Sequence, residues 1–439
     1  MASPLDRFQQ LLRIPTISRT VVSETEWEHF DAFVAALPTL YPALHATLEL
    51  EIVAGHSLLY QWRGRSEGAP AVLMAHYDVV PASDAGWQHP PFAATIVGEG
   101  ADALVWGRGS IDNKGSLVAL LEAVERLAAS GFEPENDVYL FAGHNEETAG
   151  DAAAEAAALL ESRGLRPSLV LDEGGAVVEG IFPGVSKPAA VIGVSEKGLT
   201  SLVLTVAQEG GHASTPPKLT ATSRLARAIT RLRPFPARFS APTIEMVETL
   251  GAHATGILRL VFTNTWLTKP LLLALFSRLS EETSAMVRTT QAVTELSGSA
   301  APNVLAETAS ATLNIRIATG SSVAESVAHV RRSIADDKVV ITVTDASEPS
   351  PVSPTHGVAW DLLARAVVET YPGTVVTPYT QLGASDSRRF TGISDNVYRF
   401  SPFQLSKAQR ATLHAIDENI GVETWLRGID FYERVVRGL

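Results

Sequence analysis

The sequence contains no cysteine. Disulfides, thiolate metal sites, iron–sulfur clusters and cysteine nucleophiles are therefore excluded. Positive charge is scarce: 35 Lys and Arg stand against 48 Asp and Glu, giving −13. Nucleic acid is not expected as a partner, because phosphate binding needs clustered Lys and Arg. Long apolar runs are missing too. The most apolar stretch, Trp266–Phe276, contains Lys269 and Pro270 and falls short of the ~20 residues that span a bilayer. It reads as a buried or surface-docking helix, and no membrane insertion is expected. Residues 1–20 show no apolar core after a basic start, so no secretory signal is read and the expected localisation is cytoplasmic. What is present is 46 % hydrophobic residues over a chain of 439. That suffices for a large core, and at ~100–200 residues per domain it predicts two or three domains.

The first half alternates strand and helix signals. Residues 71–80 (AVLMAHYDVV), 137–143 (DVYLFAG) and 167–175 (PSLVLDEGG) read as strands, the last ending in glycines. Residues 115–130 and 148–163 have apolar positions at helical spacing and stop at Gly131 and Gly164. Such alternation implies a largely parallel sheet covered by helices. Residues 200–211 and 311–318 alternate instead like half-exposed strands, with helices at 221–233 and 323–333. They predict a smaller α+β unit with an antiparallel sheet. Pro349, Pro351 and Pro354 mark a linker. A helix (357–370), a short strand near 374–379, a glycine-bearing loop and a last helix (420–437) follow. The expected fold class is α/β: one domain formed by 1–197 and 348–439, interrupted by an inserted domain at 198–347.

Four segments place acids or histidine at the ends of these predicted strands, where parallel sheets bind ligands. In AHYDVVP, His76 and Asp78 point the same way on a strand, so one can bind a metal while the other orients the imidazole. Asp112 in WGRGSIDNKGS precedes a helix, where a capping role is equally open. Glu146 and Glu147 in GHNEETAG suit a metal ligand beside a proton acceptor. Asp172 and Glu173 end the third strand in LDEGG. This nitrogen and oxygen donor set suits zinc, manganese or cobalt. A second imidazole must come from elsewhere, and His414 in TLHAIDENI is the best-placed candidate. No phosphate loop and no His-Glu-x-x-His motif is present, and GVSEKG has Lys197 where a serine nucleophile elbow needs glycine.

Together, AHYDVVPA, WGRGSIDNKG, GHNEETAG, LDEGG, SEKG, GGHASTPP, GASDSRRF and LHAIDENI, in this order from about residue 70 to residue 420, resemble the dizinc metallopeptidase and aminoacylase family. That family includes carboxypeptidase S, carboxypeptidase G, aminoacylase and succinyl-diaminopimelate desuccinylase. The chain most resembles the carboxypeptidase S branch, which also contains N-acyl amino acid hydrolases. The resemblance implies a catalytic domain of the dizinc exopeptidase type with an inserted lid and dimerisation domain, two divalent metal ions (zinc, or cobalt or manganese) and a homodimer through the insert.

It also implies roles. His76 and Glu173 would bind one metal, Glu147 and His414 the other, and Asp112 would bridge both, with a cis peptide bond after it. Asp78 would orient His76, and Glu146 would be the general base. Sequence alone leaves Asp172 open beside Glu173; alignment to the family favours Glu173. His212 would hold the developing oxyanion, from a partner subunit in dimeric relatives. Arg388 would bind the substrate carboxylate, with Arg389 adjacent, and Asn303 would face substrate. The family usually shows Gly-Gly-Thr-Asp before this arginine, whereas this chain has Gly383, Ala384, Ser385 and Asp386.

The implied reaction is hydrolysis of an amide bond next to a free-carboxylate amino acid, in a small-molecule dipeptide or N-acyl amino acid. The stretch 257–276 points to an apolar acyl group or side chain. The alternatives are a non-catalytic ligand-binding member of the same fold and a dizinc aminopeptidase.

Overall fold

The computed structural model describes residues 2–180 and 182–439. An eight-stranded sheet forms the centre. Its order is Glu49–Val53, Ser57–Trp62, Val138–Gly143, Ala71–His76, Leu169–Val178, Val397–Gln404, Ala189–Glu196, Val375–Gln381. The four strands from Val138–Gly143 to Val397–Gln404 run parallel. Ala71–His76 and Val138–Gly143 are buried at every position, as strands covered on both faces must be. Their carboxyl ends share one rim, because His76 pairs with Gly143.

Helices close both faces. Lys114–Ala129 buries most of its length, and Val422–Arg437 packs on it, with the Trp425 indole N–H donating to the Gly115 carbonyl at 3.0 Å. Phe8 stacks on Trp425 at 4.5 Å between ring centres, tying the N-terminal helix Pro4–Leu12 to the same core.

A second, antiparallel sheet has the order Thr290–Ser297, Thr308–Ile317, Gly198–Ala207, Val340–Ser347. Helices Ala221–Thr230 and Val323–Ile334 cover one face. The other carries Ser310, Thr312, Asn314 and Arg316. Lys197 alone separates the two sheets. A Cβ on Gly198 would lie 2.6 Å from the Pro349 nitrogen, so the chain enters and leaves the second sheet at adjacent points, and only glycine fits there.

The structure departs from the sequence reading in three places. Within 198–347, helices Ala241–Gly251, Gly256–Thr263 and Thr265–Leu279 do not join the four-stranded sheet. Met246, Leu250, Phe262 and Phe276 pack instead with Phe182, Ala189 and Val375 at the edge of the large sheet. The free face of the small sheet is too polar to receive them. A central strand, Val397–Gln404, stands where only a loop was expected, because Arg399 and Pro402 disguise it. The helix predicted at 148–163 begins only at Ala152. Ala149 is left-handed at φ 53°, which leaves Glu146–Thr148 as a separate turn.

Candidate metal centre

His76 ends its strand at the shared rim, fully buried. Its Nε2 lies 3.1 Å from Asp112 Oδ1 and 3.4 Å from Glu173 Oε1. His414 Nε2 lies 3.1 Å from Asp112 Oδ2 and 3.0 Å from Glu147 Oε2. Thus His76, Asp112 and Glu173 form one group whose donor atoms lie within 4.8 Å of one another, and Asp112, Glu147 and His414 form a second. Asp112 belongs to both, presenting one oxygen to each. Imidazole and carboxylate donors without sulfur fit a pair of catalytic divalent cations.

Each donor is held by backbone features. The Asp112–Asn113 peptide bond is cis. Asp112 does not cap the helix that starts at Lys114. Its own N–H and that of Ile111 donate to Glu418 Oε1 at 3.1 and 2.7 Å, while Arg108 and the Gly109 N–H donate to Oε2. Glu173 lies within the strand and not at its end. The pairing with Val397–Gln404 jumps from Asp172–Arg399 to Gly175–Phe400, so Glu173 and Gly174 bulge outward. A bulge re-aims a side chain, and it separates the two acids. Glu173 joins the cluster, whereas Asp172 Oδ2 accepts the Ser387 N–H at 2.8 Å. His414 sits at φ 57°, a conformation non-glycine residues keep mainly where surroundings enforce it.

Asp78 is completely buried. Its Oδ1 lies 3.3 Å from His76 Nδ1. Its oxygens also accept the N–H groups of Glu146 and Glu147 at 3.2 and 3.1 Å and the Ser18 hydroxyl at 2.7 Å. One carboxylate therefore fixes both the imidazole and the two-glutamate turn. Glu146 Oε2 stands 3.9 Å from His76 Nε2.

The electrostatics follow from this crowding. Burial pushes the Glu146 carboxyl well above the usual carboxylate range, and the carboxylates of Glu173, Asp386 and Asp112 add to the effect. Burial raises Glu173 to about 8. Burial would raise Asp112 also, but hydrogen bonds with His414 and His76 pull it below the usual value. Hydrogen bonds to Asp112 and Glu147 raise His414 to about 10. The cluster concentrates negative charge that cations of opposite sign would relieve.

The remaining predicted residues lie apart from this cluster. His212 and Asn303 come together on a two-stranded ribbon, Gly211–His212 with Val304–Leu305, where the Ala213 N–H donates to the Asn303 carbonyl at 3.0 Å. Both are exposed, and among the described residues the His212 ring bonds only to Ser214. Arg388 is partly buried. It donates to the Glu348 carbonyl at 2.9 Å and lies 3.9 Å from Glu196. Arg389 is exposed.

Three acids escaped the sequence reading: the buried Glu418 and Glu196, and the half-buried Asp386. Glu196 accepts Arg399 Nε at 2.6 Å and the Ser385 hydroxyl at 2.7 Å, joining three distant segments. Its signal was the motif SEKG, quoted for the resemblance but given no role. Asp386 Oδ2 has no hydrogen-bond partner, and burial raises the group to about 8. A Cβ on Gly143 would stand 2.9 Å from that oxygen.

Beside the cluster opens an apolar cavity of about 680 Å³. Gly174 and Leu413, each next to a donor residue, line one part of it; Phe182, Phe262, Phe276 and Tyr379 line much of the rest, with Glu179, Glu282, Lys407 and Arg410 also on its wall.

Residues 72–438 match the model of peptidase family M20/M25/M40. The chain is 33% identical to a probable carboxypeptidase S-like protein of Dictyostelium discoideum, over 99% of this chain and 85% of that protein. It is 34% identical to the N-fatty-acyl-amino acid synthase/hydrolase PM20D1 of Homo sapiens, over 97% and 86%. Among solved structures it is similar to an M20 family metallo-carboxypeptidase from Sulfolobus solfataricus, with a TM-score of 0.70 at 20% identity, covering 100% of this chain and 99% of that one.

Proposed function

The chain belongs to peptidase family M20/M25/M40, and from that premise we propose that it hydrolyses the amide bond of N-acyl amino acids carrying a free carboxylate and an apolar acyl chain. The observation that carries the hydrolytic reading is the pair of donor groups sharing Asp112, with Glu146 beside them. Zinc is the proposed metal, with cobalt or manganese able to replace it. His76 and Glu173 would hold one cation, Glu147 and His414 the other, and Asp112 both. When bound, the pair supplies a water of lowered pKa and polarises the amide carbonyl.

The protein groups do the rest. The Glu146 carboxylate takes a proton from the attacking water and returns it to the amine nitrogen as the carbon–nitrogen bond breaks. Its burial raises its pKa above the usual carboxylate range, which makes it a stronger proton acceptor. Asp78 keeps the His76 ring and the Glu146–Glu147 turn in register. The Arg388 guanidinium presents a planar fork to the substrate carboxylate. His212 would donate to the developing oxyanion, and Asn303 would contact substrate, once the ribbon that carries them meets the cluster.

The apolar cavity favours an acyl chain over the side chain of a dipeptide: its lining is largely aromatic and aliphatic, and it starts beside Glu173 and His414. A release assay tests this. N-acyl amino acids of increasing chain length should give rising kcat/KM, with about 0.8 kcal/mol gained per buried methylene. Gly-Xaa dipeptides should be poorer substrates, and carboxyl-amidated analogues poorer still. A flat chain-length profile with fast dipeptide cleavage would replace this reading by a dipeptide carboxypeptidase. Preference for carboxyl-blocked substrates would instead point to an aminopeptidase.

A further inference from the structure

The helices Gly256–Thr263 and Thr265–Leu279 are amphipathic in an unusual sense, for both sides of the longer one are apolar. Its inner ridge, with Leu272 and Phe276, is buried. Its outer ridge is Leu267, Leu271, Leu275 and Leu279, spaced by four residues so that they lie one above another. All four are exposed, Leu267 by 64% and Leu271 by 61%. Trp266 beside them is 80% exposed, and Ile257 and Leu260 continue the surface onto the shorter helix. A contiguous apolar surface of this kind marks an interaction site. No single helix is long and apolar enough to cross a membrane; the two together have the length and composition, but they are bent by 107° at the break between them.

The charge on this face identifies its occupant. From Thr249 to Ser280 the sequence has no Asp or Glu, although the whole chain carries −13. The same stretch has Arg259, Lys269 and Arg278, all exposed, and it is bounded by the exposed Glu248 on one side and Glu281 and Glu282 on the other. Exposed leucines with a tryptophan, with cations and no carboxylate within the two helices themselves, match a helix lying in the plane of an anionic lipid surface. A second copy of the chain fits less well. A two-fold contact would set this cationic face against itself, placing like charges opposite one another.

We propose that this helix pair docks the protein on an anionic phospholipid bilayer, with Trp266, Leu267 and Leu271 entering the boundary between headgroups and acyl chains. The two remaining leucines of the ridge, Leu275 and Leu279, also line the cavity beside the metal centre. The docked face therefore borders the proposed acyl pocket, and an acyl chain dissolved in the bilayer reaches it without crossing water. Docking does not depend on the chemistry at the metal centre, so binding, and not turnover, reads it out.

The test is flotation of the full-length protein with phosphatidylcholine vesicles, with and without phosphatidylglycerol, alongside light scattering of the protein alone. Wild type should float with the anionic vesicles, less with neutral ones, and less again in high salt. The double variant Leu267→Glu/Leu271→Glu should lose roughly tenfold or more of its vesicle affinity. It should still hydrolyse a short-chain soluble substrate, since neither residue lines the cavity. Replacing Arg259, Lys269 and Arg278 by Gln should lower affinity about fivefold per cation on anionic vesicles only. This second variant keeps the proposal testable if the first fails to fold. Wild type that floats with neither vesicle overturns the proposal. So does a dimer in solution that Leu267→Glu/Leu271→Glu turns into a monomer, because the face would then belong to a second copy.

Discussion

The metal centre and the His212–Asn303 ribbon are built in opposite ways. Around the metal centre nearly every donor is fixed from behind: Asp112 by Glu418, His76 and the glutamate turn by Asp78, and Glu173 by a bulge. On the ribbon, two residues pair with two others, and the side chains of His212 and Asn303 stand in solvent. A cluster of half-buried carboxylates must be placed by the fold, because close packing of like charges is unfavourable until a cation neutralises it. A donor that acts only on the transition state needs no such support until substrate is present. The difference teaches that the donor groups proposed to hold metal are assembled within a single chain, whereas the oxyanion role proposed for His212 would need a movement of the ribbon or a second copy.

The largest effects should come from the preorganised half. Glu146→Gln should lower kcat by about 10²–10⁴-fold while leaving the metal content, measured by elemental analysis, unchanged. Dialysis against a chelator should abolish activity, and zinc, cobalt or manganese should restore it. Activity indifferent to metal removal would break the comparison at its base, since the buried cluster would then have another purpose.

His212→Ala should act next in size, lowering kcat about 10²–10³-fold, as loss of one oxyanion donor does, with metal content unchanged. Mixing this variant with Glu146→Gln sharpens the contrast. Recovered activity would show that His212 serves a partner's metal centre, and no recovery would mean that the ribbon closes within its own chain. The smallest change expected is in Glu418→Gln, which leaves Arg108 without its buried carboxylate. Metal affinity, titrated by calorimetry, should weaken about 10–100-fold, as when a group behind a ligand is removed. An unchanged affinity would mean that the cis peptide segment holds Asp112 without help.

Much of this half was legible in the sequence. Strands at 71–80 and 137–143 announce themselves by the apolar runs 71–75 and 138–142, and parallel neighbours must end on one rim, so His76 and Glu146–Glu147 follow. The strand Val397–Gln404 was not legible, because a fully buried Arg399 and an internal Pro402 break every local pattern. Arg399 is tolerated only because Glu196, far away in sequence, accepts its Nε. The helices within 198–347 were recognisable as apolar but not assignable to a sheet, since packing partners leave no local trace.

The sequence by itself determined the chemistry: no thiolate donors, a surplus of carboxylates, and histidine and acids placed in or just after strands whose apolar runs require burial. Those are properties of residue type and short-range spacing. Residue type and spacing left open which of two neighbouring carboxylates joins the cluster, and the tertiary structure separates them. Asp172 and Glu173 are neighbours in the chain, but the bulge sends one to the metal centre and the other to the Ser387 N–H. Likewise Asp112 is set by Glu418, 306 positions away. A side chain's pKa, orientation and company depend on what folds against it, and those contacts join segments that no local pattern connects.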